Sequence, residues 1–415
     1  MMTQEKSFFE REPSSEEISE AEGLVEDLAR ALHRVGTPSH RFEEAMGWVV
    51  RRLGFEGQFF STPTAIFAAF GKPGAQHTRL LRVEPGEVNL EKLSALDQEL
   101  QHLVHGGGSL RQIARRVAAL ETAPPRYGAG ITTLAFALAS GTAARFFGGG
   151  ILEIAAATGA GLAMGLLAVL VERVPAWGRL FEPGAAMLVT LLATSLAPGL
   201  HFAPFLVTLA GLIVLVPGLT LTTAMTELSV RHLASGSARL SGALLTFLTI
   251  GFGVALGGRL GELLAGPRPM VEPVALPPWT ELPALVLAAV AFTVLFRAHP
   301  RDVGWIFLGA SLALMGARSG ASLLGPELGA FVGALLLGMA GNAHARWARR
   351  PSAITQVPGL MLLVPGSMGF RSVASLLDHD TLAGVQTAFA MTLVAVALAT
   401  GLLVANVLVP PRRAL

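Results

Sequence analysis

The chain has 415 residues, 52% hydrophobic and only 14% charged, where a soluble protein carries about a quarter charged residues. Its formal net charge of +2 comes from arginines punctuating apolar sequence, which is the pattern of membrane edges and excludes a nucleic-acid-binding reading. There is no cysteine, so disulfides and thiolate metal sites are excluded, and nothing in the composition calls for a cofactor.

The lysines and most of the acids fall before about residue 126. Residues 1–15 read as a disordered start, without the basic and apolar regions of a signal peptide. Over 16–122 the pattern predicts a small soluble α/β domain. A helix starts at Ser15-Glu16-Glu17 and runs to about Val35, with Ile18, Ala21, Leu24, Leu28 and Leu32 at helical spacing. After Gly36-Thr37-Pro38-Ser39, a second helix covers 39–53. Short strands follow at Phe59-Phe60, 65–70 and 78–83, with Ser61-Thr62-Pro63-Thr64 as a turn. Helices are predicted at 89–104 and 110–120, separated by a break at 106–108. His33, His40, Glu43 and Glu44 lie close in sequence. They form a candidate metal or acid–base group, although solvated surface positions are the expectation for His40, Glu43 and Glu44.

Beyond residue 126, ten apolar segments have spanning length: about 128–147, 151–171, 183–199, 203–230, 239–264, 281–297, 302–317, 326–345, 354–377 and 382–409. If the soluble domain is cytoplasmic, about twelve arginines fall in inside links and the tail, including Arg412 and Arg413. About five fall outside, Arg268 among them, in the direction the positive-inside rule expects. Both termini are then cytoplasmic.

Two stretches repeat. LIVLVPGLTLTTAMTELSVRHLASGSARL begins at Leu212 and LMLLVPGSMGFRSVASLLDHDTLAG at Leu360. At a constant offset of 148 positions, Gly211 matches Gly359, Pro217 matches Pro365 and Gly218 matches Gly366. Gly236 likewise matches Gly384, and Gly253 matches Gly401. Each copy occupies five spans, over 128–265 and 281–410, and copies with an odd span count must lie upside down to each other. The expected fold is therefore an α-helical polytopic membrane protein. Its ten transmembrane helices form two inverted five-helix repeats, preceded by the α/β domain. The two Val-Pro-Gly breaks would meet at a substrate site, because irregular backbone at membrane depth survives where protein or water satisfies it.

Candidate substrate-binding residues follow from the breaks. Half-helix N-termini after Pro217-Gly218 and Pro365-Gly366 would offer N–H groups and dipole ends to a carboxylate. Thr220, Thr222, Thr223 and Ser367 would add hydroxyls, unless these bond back to their own helices. Arg371 would hold a carboxylate, or else pair with Asp378 or reach the outer surface. Glu227 is the proton-coupling candidate as an acid within or near a span, the alternative being a salt bridge to Arg231. Glu153 reads as interfacial. Gly236, Arg239 and Gly384 are structural candidates, as is Asn406, whose amide should bond another helix.

The whole chain resembles the threonine/serine exporter family. Gly36-Thr37-Pro38-Ser39-His40-Arg41 with Glu43-Glu44 carries the likeness, with Thr62-Pro63-Thr64 and Asn89-Leu90-Glu91-Lys92-Leu93. Val216-Pro217-Gly218 with Glu227-Leu228, Gly236 and Ala238-Arg239 adds to it, as does Leu363-Val364-Pro365-Gly366-Ser367 with Phe370-Arg371. The resemblance implies a ten-span exporter of the cell inner (plasma) membrane with a cytoplasmic N-terminal domain, driven by the proton gradient. Relatives with the two modules on separate chains are linked to succinate export. The fused form resembles single-chain amino-acid exporters. The leading expectation is thus export of threonine and serine, with protons and the lipid bilayer as partners, no cofactor and no metal; a homo-oligomer stays open. A dicarboxylate exporter is the nearest rival. A membrane-anchored enzyme with a catalytic N-terminal domain is less expected, since ten spans exceed an anchor's need. A channel is disfavoured by the lack of a charge ring or filter sequence.

Overall fold

The computed structural model describes residues 14–72, 74–104, 109–267 and 271–411. Of the 1–15 stretch expected to be disordered, residues 1–13 lie outside the described residues, as do the break at 106–108, Arg268, Arg412 and Arg413, while Ser14 and Ser15 cap and open a helix.

The N-terminal region opens with α1 (Ser15–Arg34), started by a reciprocal capping box. Glu17 N–H donates to Ser14 Oγ at 3.2 Å, and Ser14 N–H to Glu17 Oε2 at 2.8 Å. After α2 (Ser39–Leu53), Gly54 takes the left-handed cap that turns the chain into the sheet (φ +83°). Strands β1 (Gly57–Thr62), β2 (Ala65–Phe70) and β3 (His77–Arg82) form an antiparallel meander in the order β1-β2-β3. Helices α3 (Leu90–Val104) and α4 (Leu110–Thr122) complete the region. Leu24, Leu28, Phe42, Met46, Ile66, Phe70, Leu96 and Leu100 form its core. That core runs without a gap into Ala288, Ala289, Phe292 and Ile306 of the helices beyond.

The remaining helices are α5 (Ala129–Phe146), α6 (Ile151–Arg173), α7 (Phe181–Leu200), α8 (Pro204–Gly211), α9 (Gly218–Ser229), α10 (Leu233–Ala265), α11 (Glu281–Leu295), α12 (Val303–Leu324), α13 (Pro326–Ala348), α14 (Ala353–Met361), α15 (Gly366–Leu377) and α16 (Thr381–Leu408). Among the described residues, eight helical stretches are long and apolar enough to cross a membrane, counting 353–377 as one. Two of the ten expected segments are not among them. α5 carries Arg145 in its last turn, and the 203–230 segment is split into α8 and α9. The 354–377 segment is split in the same way into α14 and α15. Pro217 and Pro365 cause the splits, because proline lacks the N–H a continuous helix would use and disfavours helical backbone in the residue before it. Helix α10 starts six residues before the expected boundary at 239, so Arg239 lies inside a helix and not in a link.

Small residues set the closest approaches, as expected where packing replaces the hydrophobic drive. A Cβ on Gly253 would meet Pro183 O at 2.3 Å and Ala186 Cβ at 2.8 Å; one on Gly401 would meet Phe331 O at 2.6 Å and Ala334 Cβ at 2.9 Å. All three pairs of positions differ by 148. A Cβ on Gly236 would fall 2.8 Å from Leu228 Cγ, and one on Gly384 would fall 2.6 Å from Leu376 Cγ, again 148 positions on. In both places the glycine lets a half-helix fold back tightly against the next long helix.

Polar contacts sort the helix ends into two groups. At one end Arg145 donates to Thr280 Oγ1 at 2.7 Å, and Arg318 pairs with Glu281. At the other, Arg297 pairs with Glu87, Arg350 with Asp302, and Tyr127 donates to Ala298 O, on the side where the soluble domain packs.

Candidate functional site

The two Val-Pro-Gly breaks touch. A Cβ on Gly218 would lie 1.8 Å from Val364 Cγ1 and 3.1 Å from both N and Cα of Gly366. A Cβ on Gly366 would lie 2.6 Å from Val216 Cγ1. Each glycine is pressed chiefly by a valine methyl of the opposite break, and at Gly218 the Gly366 backbone also lies close, so neither position has room for a side chain as packed. Helices α9 and α15 start at this contact from Pro217 and Pro365, neither with a side-chain cap. Each therefore brings the orphan amides and positive dipole end of a helix N-terminus to the contact. Apolar side chains of two clusters adjoin it, Val216, Leu221, Phe247 and Met391 in one and Leu219 and Val364 in the other, with Met368 packed against both.

The candidate hydroxyls divide. Thr222 Oγ1 donates to its own helix at Gly218 O (3.1 Å), the back-bonding alternative. Thr223 and Ser367 are half-buried near the breaks, while Thr220 is exposed. Arg371 is exposed and has no ion-pair partner among the described residues, so it does not pair with Asp378.

Glu227 is fully buried, at the far end of α9 from the break. Its partner is Arg239, not the Arg231 of the sequence expectation. Arg239 Nε lies 3.1 Å from both carboxylate oxygens, whereas Arg231 sits at φ +67° in the turn between α9 and α10. Ser235 Oγ donates to Glu227 Oε2 at 2.5 Å, and the backbone N–H of Ser39 donates to Glu227 Oε1 at 2.9 Å. Ser39 Oγ also meets Ser235 Oγ at 2.6 Å. Helix α2 has Pro38 at its cap and no side-chain cap of its own. Glu227 therefore supplies from the membrane helices the acceptor that an N-cap residue would otherwise provide.

Around this carboxylate the soluble domain and the α9–α10 turn interlock. Glu43, expected on a solvated face, accepts from Ser61 N–H at 2.9 Å and approaches His232 Nδ1 at 3.6 Å. Burial raises its carboxyl above the usual range. The His40 ring lies 6.2 Å from that of His232. Burial, with the Arg41 charge behind it, pushes the His40 imidazole down to about 4. His33 is buried, hydrogen-bonded to Pro63 O at 3.0 Å, and burial lowers it too. Glu44 remains on the surface, paired with Arg41. The surface reading of His40 and Glu43 thus fails because His232, from the far α9–α10 turn, packs beside both, and Glu43 also accepts from the nearby Ser61. Among the described residues, no three His, Cys, Asp or Glu are grouped to hold a metal ion.

Asn406 bonds another helix as expected, with Asn342 Nδ2 donating to its Oδ1 at 2.8 Å. Gln356, which the sequence reading passed over, donates to Asn342 Oδ1 at 3.1 Å. Glu153 is buried rather than interfacial. It caps its own helix at Gly150 N–H and accepts Ala203 N–H at 3.0 Å. Ser39, His232 and Ser235 were also missed as a group, although each lies in or beside a quoted stretch.

A family model for threonine/serine exporters matches residues 24–261, and a second, described as "Threonine/Serine exporter, ThrE", matches residues 282–408. Similar curated proteins include pheromone-regulated membrane protein 10 of Candida albicans, 24% identical over 86% of this chain and 33% of that protein. The protein of the same name from Saccharomyces cerevisiae is 26% identical over 85% of this chain and 46% of its own length. The chain thus spans from a third to about half the length of these relatives. No solved structure matches the chain.

Proposed function

The chain belongs to the threonine/serine exporter family, and from that premise we propose that it is a proton-driven secondary transporter exporting threonine and serine across the cell inner membrane. It is a multi-pass membrane protein. In this reading ten spans form two inverted five-helix repeats, over 128–265 and 281–410, behind a cytoplasmic domain over 16–122. The glycine contacts repeated at an offset of 148 support the repeat. The clustering of Arg297, Arg350 and the soluble domain at one end supports the orientation.

One observation carries the site: Gly218 against Gly366, where two uncapped half-helix N-termini meet. Such termini suit a carboxylate. Pro217, Gly218, Thr223, Pro365, Gly366 and Ser367 would bind the amino acid as the breaks part. Thr222 joins them only if it releases Gly218 O. Glu227 would carry the proton, exchanging it as Arg239 and Ser39 release the carboxylate. A dicarboxylate is the second reading. Arg371, exposed five residues after the second break, is the observation that favours it.

The test is purified protein in liposomes under an imposed pH gradient, with labelled threonine, serine and succinate beside Glu227→Gln. Amino-acid flux that follows the gradient and fails in the variant supports the reading. Succinate flux alone moves the assignment to dicarboxylates. No flux of any solute through folded protein would defeat both.

A further inference from the structure

A cavity of about 650 Å³ opens at the seam between the soluble domain and the link from α11 to α12, within the ~300–1,000 Å³ range of small-molecule sites. It involves none of the break residues. Val35, Val83 and Leu96 give it an apolar floor, and the charged groups stand around them. Two pairs neutralise themselves: Arg34 with Glu121 at 3.2 Å and Arg297 with Glu87 at 3.0 Å. Arg82, Lys92 and Glu84 remain, an excess of one positive charge. Lys92 is half-buried, and its Nζ donates to the neutral backbone oxygen of Glu121 at 3.0 Å. An ammonium that donates to a neutral carbonyl, in a cavity with one positive charge in excess, favours a counter-ion.

The seam is also a mechanical joint. Leu90 N–H donates to Phe296 O at 3.0 Å, and Glu91 N–H to Arg297 O at 3.1 Å. The first amides of α3 thus take carbonyls just past the end of α11, so the start of one helix is tied to the end of the other. Lys92 is one residue further into α3, and Arg297 is in the link, so one ligand can touch both sides.

We propose that this cavity is a regulatory site for a small organic monoanion. The apolar body rests on the floor, the carboxylate or phosphate lies against Lys92, and occupancy tightens the joint between the soluble domain and α11. This does not depend on what the protein transports.

The test uses the full chain in detergent with benzoate and phenyl phosphate as probes and benzylammonium as a like-shaped cation. Thermal unfolding and amide exchange at Leu90 and Glu91 are read. One or both anions should raise the melting temperature by a few degrees and slow those two amides at least about threefold. Which anion acts separates a carboxylate site from a phosphate site. Benzylammonium should do neither, Lys92→Gln should abolish both effects, and Lys92→Arg should keep them. An equal shift from the cation, a shift retained in Lys92→Gln, or no shift with either anion overturns the site. Anion binding that leaves the Leu90 and Glu91 amides unchanged overturns its regulatory role.

Discussion

Ser39 donates its backbone N–H to Glu227 Oε1 at 2.9 Å across 188 positions of chain. The contact joins the first turn of a soluble helix to the last turn of a broken membrane helix. Any movement of α9 about its break must therefore either carry the soluble domain with it or release this bond.

Removing Glu227 tests that joint. Glu227→Ala strands the Arg239 guanidinium and the α2 amide, and breaking a buried pair from one side costs about 3–5 kcal/mol. The variant should melt lower and be cut by protease near 36–39 or 230–236 faster than the parent. The double variant Glu227→Gln/Arg239→Gln should recover part of the loss. A melting temperature equal to the parent's for Glu227→Ala would show that the joint contributes nothing.

The meeting of the breaks predicts a specific rescue. A methyl at Gly218 would fall 1.8 Å from Val364 Cγ1, an overlap costing about 1–3 kcal/mol where packing can adjust. Gly218→Ala should lose most transport in the liposome assay, and adding Val364→Ala should restore a measurable part. Equal flux in Gly218→Ala and the parent would mean that the breaks do not stay this close through the cycle.

The seam gives the stability a pH dependence of known sign. The His40 imidazole sits at about 4 in the folded protein against 6.5 unfolded, faced by Arg41, Glu227, His232 and Arg239. From pH 6.5 down to about 4 the unfolded chain binds a proton that the folded chain refuses. Stability therefore falls over that window, by on the order of 3 kcal/mol for this group. His33, lowered by burial, acts in the same direction. Glu43, raised by burial, opposes them, since its folded form takes up a proton before the unfolded one. Melting curves from pH 7.5 to 4.5 should show the decline, and His40→Gln should flatten it. An identical slope in that variant would assign the decline to other groups.

Gly253 and Gly401 offer a test of the repeat itself. Each packs against the matching atoms of α7 or α13, so Gly253→Ala and Gly401→Ala should destabilise alike, each by about 1–3 kcal/mol. Calorimetry on the two variants gives the comparison, and a large loss in one with none in the other would count against equivalent packing.

Much of this protein was written along the chain. The helix over 39–53 follows from helical spacing, the strand over 65–70 from a short apolar run, and most membrane helices from apolar runs of spanning length, because each of these is a local property of the chain. The Pro-Gly breaks were legible too, since proline acts on its own helix. The match between Gly218 and Gly366 was readable as a repeat. Contact between them, and the absence of room for a single methyl, came from how the two halves pack. The same holds for Glu227. An acid at a helix end announces that it needs a partner, and Arg231, one turn away, is the partner that local spacing offers. The fold supplies Arg239, Ser235 and Ser39 instead, because α10 folds back along α9 at Gly236 and the soluble domain closes over the turn. Charge and hydrogen-bond partners are chosen by distance in space, and over 188 residues the sequence holds no measure of that distance.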